Sequence, residues 1–209
     1  MKYKVYGDIQ SGNCYKVKLL LLFLGIEHEW QAVDILAGET QTEAFLAMNP
    51  NGKIPVLALE NGDSLSESNA ILNFLAAGTS WLPEDRMARA RVLEWQFFEQ
   101  YSHEPYIATA RFINKYLGLP DDRLEEYQAK QQGGHQALKV MEQQLARSPF
   151  VAGEQPSIAD ISLYAYTHVA HEGGFDLGGY PAIQQWLEAV EALPGHATMA
   201  SLMTEMACQ

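Results

Sequence analysis

The residues best suited to hold a charged small molecule stand together between Asn49 and Leu75, in the stretch NPNGKIPVLALENGDSLSESNAILNFL. Ile54-Pro55 heads an apolar run, Val56 to Leu59, that reads as a strand. Asn61-Gly62 centres a tight hairpin, because this pair accepts the positive φ such turns need. Ser66-Glu67-Ser68 then opens a helix with Ile71, Leu72 and Leu75 on its apolar face. A carboxylate and hydroxyl groups at a helix start can receive an amine and an anion side by side. Two further groupings are less chemical. Ser157-Ile158-Ala159-Asp160 has the form of a capping box, so Ser157 and Asp160 are expected to fix a helix start rather than to catalyse. His168 and His171 form H-x-x-H with no supporting Glu or Cys, and no metal site is expected there.

The elements around these residues fall into two regions. Tyr3 to Tyr6 alternates as a short strand, and residues 15–24 read as a helix with Val17, Leu20, Leu21 and Leu24 at helical spacing, closed by Gly25. Residues 28–33 form a second strand and 43–48 a short helix ended by Asn49-Pro50. With the hairpin and the helix after it, the order is β-α-β-α-β-β-α. The crossover helix implies one parallel pair and the Asn61-Gly62 turn one antiparallel pair. This predicts an α/β domain over residues 1–78. A linker covers 79–84, and residues 85–209 read as all helical. The helices expected there run over 84–116, 121–147 with a possible kink at Gly133-Gly134, 157–171, 181–192 from Pro181, and 198–207.

Composition narrows the function classes. The chain has 209 residues, 47% of them hydrophobic and 11% aromatic, enough for a sizeable core. A net charge of −12 and no basic stripe argue against nucleic acid. Arg86, Arg89 and Arg91 are interspersed with Glu84, Asp85 and Glu94, as on a solvated helix face. The longest apolar run, Leu19 to Leu24, is too short to span a bilayer, and no membrane partner is expected. Cys14 and Cys208 have no metal or disulfide spacing. The expected setting is the reducing cytoplasm.

These features together resemble the cytosolic glutathione S-transferases, in particular bacterial, theta- or nu-like members of serine type. The βαβαββα unit, the Ile54-Pro55 step, the Glu67-Ser68 pair and the Ser157-x-x-Asp160 box in a helical second domain carry the resemblance, which covers essentially the whole chain. It implies a thioredoxin-like first domain with Ile54-Pro55 in cis. The Ile54 backbone then pairs with the cysteinyl part of glutathione. Glu67 takes the γ-glutamyl ammonium, and Ser68 the γ-glutamyl carboxylate at its helix N-terminus. Lys53 contacts the glycyl end or the backbone near it. Theta-like relatives often carry His where this chain has Thr40, which leaves Gln41 for that contact. A homodimer with glutathione as co-substrate is implied.

Glutathione chemistry needs a thiolate, and a free thiol has a pKa near about 8.5. Relatives place one donor after the first strand, and here Ser11-Gly12-Asn13-Cys14 fills that turn. Ser11 matches the serine position, and its hydroxyl with the helix N–H groups could hold the sulfur as an anion. Asn13 is a second donor, and a hydroxyl residue followed two places on by Asn resembles the nu class, which reduces disulfides. Cys14 is expected in the core. Tyr6, at the end of the first strand, is a lower-ranked candidate. The acceptor wall is expected on the 84–116 helix, with Tyr101, Tyr106, Arg111 and Phe112 as candidates. Three functions remain open. The first is conjugation of glutathione to small, mostly apolar electrophiles. The others are glutathione-dependent disulfide reduction and non-catalytic binding on the same fold.

Overall fold

A computed structural model describes residues 3–207 of the chain. Its contacts divide the chain into two compact units, Met1–Ala77 with Pro194–Gln209, and Gly78–Leu193. The first unit is built on a four-stranded sheet in the order β2-β1-β3-β4, from β1 (Tyr3–Gly7), β2 (His28–Ala32), β3 (Val56–Leu59) and β4 (Ser64–Ser66). β1 runs parallel to β2, with Val5 beside Trp30, and antiparallel to β3, with Val5 beside Leu57. The parallel pair follows from the crossover by α1 (Gly12–Phe23). The β3–β4 hairpin is closed at Asn61-Gly62, where Gly62 adopts φ 90° and its N–H donates to the Leu59 carbonyl. Helix α2 (Glu43–Met48) and helix α3 (Ser68–Ala76) complete the β-α-β-α-β-β-α order.

Helix α1 is apolar nearly all round, and Cys14, Tyr15, Val17, Leu19, Leu20 and Leu21 are all buried, as expected of a helix enclosed by its own domain. Val33, Phe45 and Val56 form a second core cluster, on which Tyr6, Met48 and Ile54 pack. The final segment was expected within the helical domain. It groups instead with the first unit, because the Tyr15 hydroxyl donates to the Ala197 carbonyl at 2.8 Å and Phe23 and His196 bring their rings together. α9 (Met199–Ala207) follows this anchor. Cys208 lies outside the described residues.

The second unit carries α4 (Arg86–Phe98), α5 (Glu104–Arg111), α6 (Leu124–Leu145), α7 (Ile158–Thr167) and α8 (Pro181–Glu191). The run expected as one helix over 84–116 is interrupted by two π-helical segments, Glu99–His103 and Phe112–Tyr116. Pro105 explains the first. It has no N–H for an i→i−4 bond and its ring crowds the preceding turn, so the helix widens just before it. Gly133-Gly134 does not break α6. A side chain at Gly133 would run into the Tyr106 ring, and one at Gly134 into Phe175. The pair lets aromatic rings approach the helix backbone rather than bending it. Among the described residues no helix is long and apolar enough to cross a membrane.

Candidate functional site

Two helix starts meet in the first unit. Ser11 is the N-cap of α1, yet its side chain makes no capping bond. Its hydroxyl instead hydrogen-bonds the Cys14 thiol. That thiol is wholly buried against Gly7, where any side chain would collide with the sulfur. Burial pushes the Cys14 pKa up to about 12, despite lowering contributions from Ser11, the Asp8 backbone and the Lys16 charge. Cys14 therefore keeps its proton and is a poor nucleophile. Asn13, in the first turn of α1, is held by two donors on its Oδ1. Lys16 Nζ donates at 2.7 Å, and the Ser68 hydroxyl, from the start of α3, donates at 3.0 Å. Lys16 Nζ also reaches Ser68 Oγ at 3.5 Å. Lys16 itself is 0% exposed. The partial positive ends of α1 and α3 and a buried lysine are thus gathered at one place, which favours a bound anion.

The strand entrance is shaped by a small loop. The Ile54-Pro55 bond is cis, and Pro55 is buried ahead of β3. Asn49, also buried, holds the loop from inside: its Nδ2 donates to the Lys53 carbonyl at 2.7 Å and its Oδ1 accepts from the Asn51 N–H at 3.1 Å. Gly52 turns the chain at φ 61° and lies so close to Gln41 that a Cβ would sit 2.6 Å from Nε2. Gln41 Nε2 in turn donates to Thr40 Oγ1 at 3.2 Å. Lys53 and Gln41 are both exposed, and Ile54 is half-buried. The structuring role of Asn49 was hidden in the sequence by its place in a helix-ending Asn-Pro step.

Glu67, the N-cap of α3, adopts φ 68° and ψ 110°, outside the regions L-residues prefer, and its side chain makes no capping bond. The carboxylate is exposed beside the buried Ser68. Strain of this kind collects where a side chain must be aimed. Tyr6 packs on the core cluster with Lys4 over its ring, as a strand residue.

In the helical unit the acceptor candidates have differing surroundings. Tyr101 is 81% exposed. Tyr106 lies on Gly133 with Lys130 over its ring. Phe112 pairs with Tyr116. Arg111 is only 3% exposed, and its Nε donates to Glu172 Oε2 at 2.6 Å. Lys115 joins the same carboxylate at 3.1 Å. Burial raises the Glu172 pKa, but the bonds and charges of Arg111 and Lys115 outweigh it and hold the carboxyl below its usual range. Arg111 is thus buried and engaged in a structural ion pair within the helical unit. The capping box is complete, and Asp160 accepts from the Val151 N–H, the Ser157 N–H and hydroxyl, and Trp186 Nε1, all within 3.0 Å. His168 donates from Nδ1 to the Tyr164 carbonyl and stacks on that ring.

Sheet order, cis Ile54-Pro55 and a separate all-helical unit define a class: a thioredoxin-like domain joined to a helical domain. Comparison with known proteins agrees. The model of the glutathione S-transferase N-terminal domain matches residues 10–77, and that of the C-terminal domain residues 124–189. A glutathione S-transferase of Pseudomonas fluorescens Pf-5, known from its crystal structure, is 65% identical with a TM-score of 0.93, over 94% of this chain and 98% of that one. A maleylacetoacetate isomerase of Methylobacterium extorquens AM1, crystallised with malonate and glutathione, is 29% identical with a TM-score of 0.77, over 92% and 93% of the two chains. The disulfide-bond oxidoreductase YfcG of Escherichia coli K12 is 30% identical over 192 residues, 87% of each protein. The chain belongs to the glutathione S-transferase family. It is a glutathione transferase with glutathione as co-substrate, and disulfide oxidoreductases are among its relatives.

Proposed function

We propose that Ser11 and Asn13 hold the glutathione sulfur as a thiolate, which attacks a small, mostly apolar electrophile. The observation that carries this reading is the 3.0 Å bond between Asn13 and Ser68, which puts the turn after β1 and the start of α3 side by side. One end of glutathione then sits over each. Glu67 takes the γ-glutamyl ammonium, the Ser68 N–H takes the γ-glutamyl carboxylate, and the Ile54 backbone, Lys53 and Gln41 take the rest of the tripeptide. Cys14 keeps its proton beside Ser11, so it does not compete with the ligand as the thiolate at this turn. Pro55, Ser157 and Asp160 serve structure. The acceptor wall lies on the helical unit, where Tyr106 is a candidate and Arg111 is the weaker one because of Glu172.

The test is turnover of a chloronitroarene with glutathione. Ser11→Ala should lower kcat/KM by about a hundredfold, the loss typical for one anion-stabilising donor. Unchanged turnover would remove Ser11 from the chemistry. A second reading, glutathione-dependent disulfide reduction, draws support from the Ser11-x-Asn13 pair and from the oxidoreductase relative. Turnover of a glutathione mixed disulfide without conjugation would favour it. An exposed apolar row, Leu93, Phe97 and Tyr101, supports a homodimer, checked by light scattering. The cytoplasm is the compartment that fits a chain using reduced glutathione.

A further inference from the structure

Lys16 was not singled out by its sequence position, where it reads as one more charge on a helix. In the structure it is wholly buried, although lysine is among the residues least often buried. It reaches two residues from different elements, Asn13 on its own helix and Ser68 at the start of α3. A lysine ammonium has no capacity to accept. The 2.7 Å contact therefore fixes which end of the Asn13 amide faces inward: Oδ1 faces Lys16 and Ser68. Its charge also reaches the turn, since it acts on the Cys14 thiol in the direction that favours the anion, against Asp8, which acts in the other.

We propose that Lys16 is a positioning residue of the glutathione site: it fixes Asn13 against Ser68 and so ties the turn that meets the thiolate to the Ser68 anion site. This rests on the glutathione reading above and deepens it. Lys16 touches neither the sulfur nor the carboxylate. It acts through Asn13 and Ser68, and through a fixed positive charge close behind both. The arrangement couples the two ends of the ligand. An anion at Ser68 and a thiolate at the turn are both favoured by one cation that neither displaces.

The experiment reads the ionisation of the bound thiol, by the ultraviolet absorbance of the thiolate against pH, in Lys16→Met, Lys16→Arg and Lys16→Gln. Binding of glutathione by the unmodified protein, measured by calorimetry, comes first. Its absence would overturn the underlying glutathione reading before any variant is made. Given binding, Lys16→Met should raise the apparent pKa of the bound thiol by about one, and Lys16→Arg should restore most of that change. Lys16→Gln keeps a hydrogen-bond donor for Asn13 but carries no charge. It should raise the thiol pKa in the same direction, which tests the idea even if Lys16→Met does not fold. A purely structural lysine gives a different result. Melting temperature and affinity then fall in Lys16→Met and Lys16→Gln while the bound thiol keeps its pKa. Either unchanged pKa overturns the proposal.

Discussion

Replacing Glu67 by glycine should make the protein more stable and a worse receptor at once. Glu67 holds φ 68° and ψ 110° with no capping bond from its side chain. A non-glycine residue in such a region carries about 1–3 kcal/mol of backbone strain. Glycine releases it but adds about 0.5–1 kcal/mol of unfolded-chain entropy. The net gain is about 0–2.5 kcal/mol, centred on about 1, and at about 2–4 °C per kcal/mol for a chain of this size the melting temperature of the free protein should rise by a few degrees. The same change removes the carboxylate assigned to the γ-glutamyl ammonium. A hydrogen bond to a charged group contributes about 1.5–3 kcal/mol, so the glutathione Kd should rise about 10- to 150-fold. Calorimetric melting and titration with glutathione read the two effects separately. Glu67→Ala is the control: it keeps the backbone strain, so affinity should fall with no gain in melting temperature. A glycine variant that melts lower, or binds glutathione as before, would refute the argument that strain is held here to aim a ligand group.

Two further expectations concern the helical unit. Asp160→Asn sets an amide NH2 against donors that now meet carboxylate oxygens, and Trp186 or Ser157 loses its acceptor. Leaving buried donors unsatisfied should destabilise the fold by about 3 kcal/mol or more, read in urea unfolding, while each folded molecule keeps its turnover. Glu172 sets an acid dependence. Its folded pKa is held below its unfolded value, so its stabilising contribution is present above the unfolded pKa and is lost as pH falls through the folded one. Stability should therefore fall on acidification below about pH 4.3 more steeply in the unmodified protein than in Glu172→Gln. Equal slopes would show that the Arg111 and Lys115 contacts do not act on the Glu172 carboxyl.

Features written in local chemistry were legible in the sequence. Asn61-Gly62 marked the hairpin, Ser157-x-x-Asp160 its cap, and the apolar spacing of α1 and α3 their inward faces. The mixed sheet followed from the order of these elements. What depended on distant contacts was not legible. Gly133-Gly134 looks like a kink until Tyr106 and Phe175 are seen to occupy the space that side chains would need. Pro105 is the exception: its missing N–H widens the helix through a purely local effect that its place in the sequence already carries. The anchor from Tyr15 to Ala197 joins residues far apart in the chain, so no window of sequence contains it. The site divides the same way. Glu67, Ser68 and the Ser11 turn stood out by residue type and spacing. The positive φ of Glu67 and the grip of Asn49 on the Lys53 loop are local geometry that residue type does not announce, and Lys16 is buried only once α1 and α3 are packed together.

The account turns on which group meets the glutathione sulfur, and a crystal structure of the protein soaked with glutathione measures that directly. The expected result places the sulfur within about 3.5 Å of Ser11 Oγ or Asn13 Nδ2, with the γ-glutamyl end between Glu67 and the Ser68 N–H. A sulfur bonded to Cys14 or facing the Tyr6 hydroxyl, with Ser11 and Asn13 turned away, would contradict it.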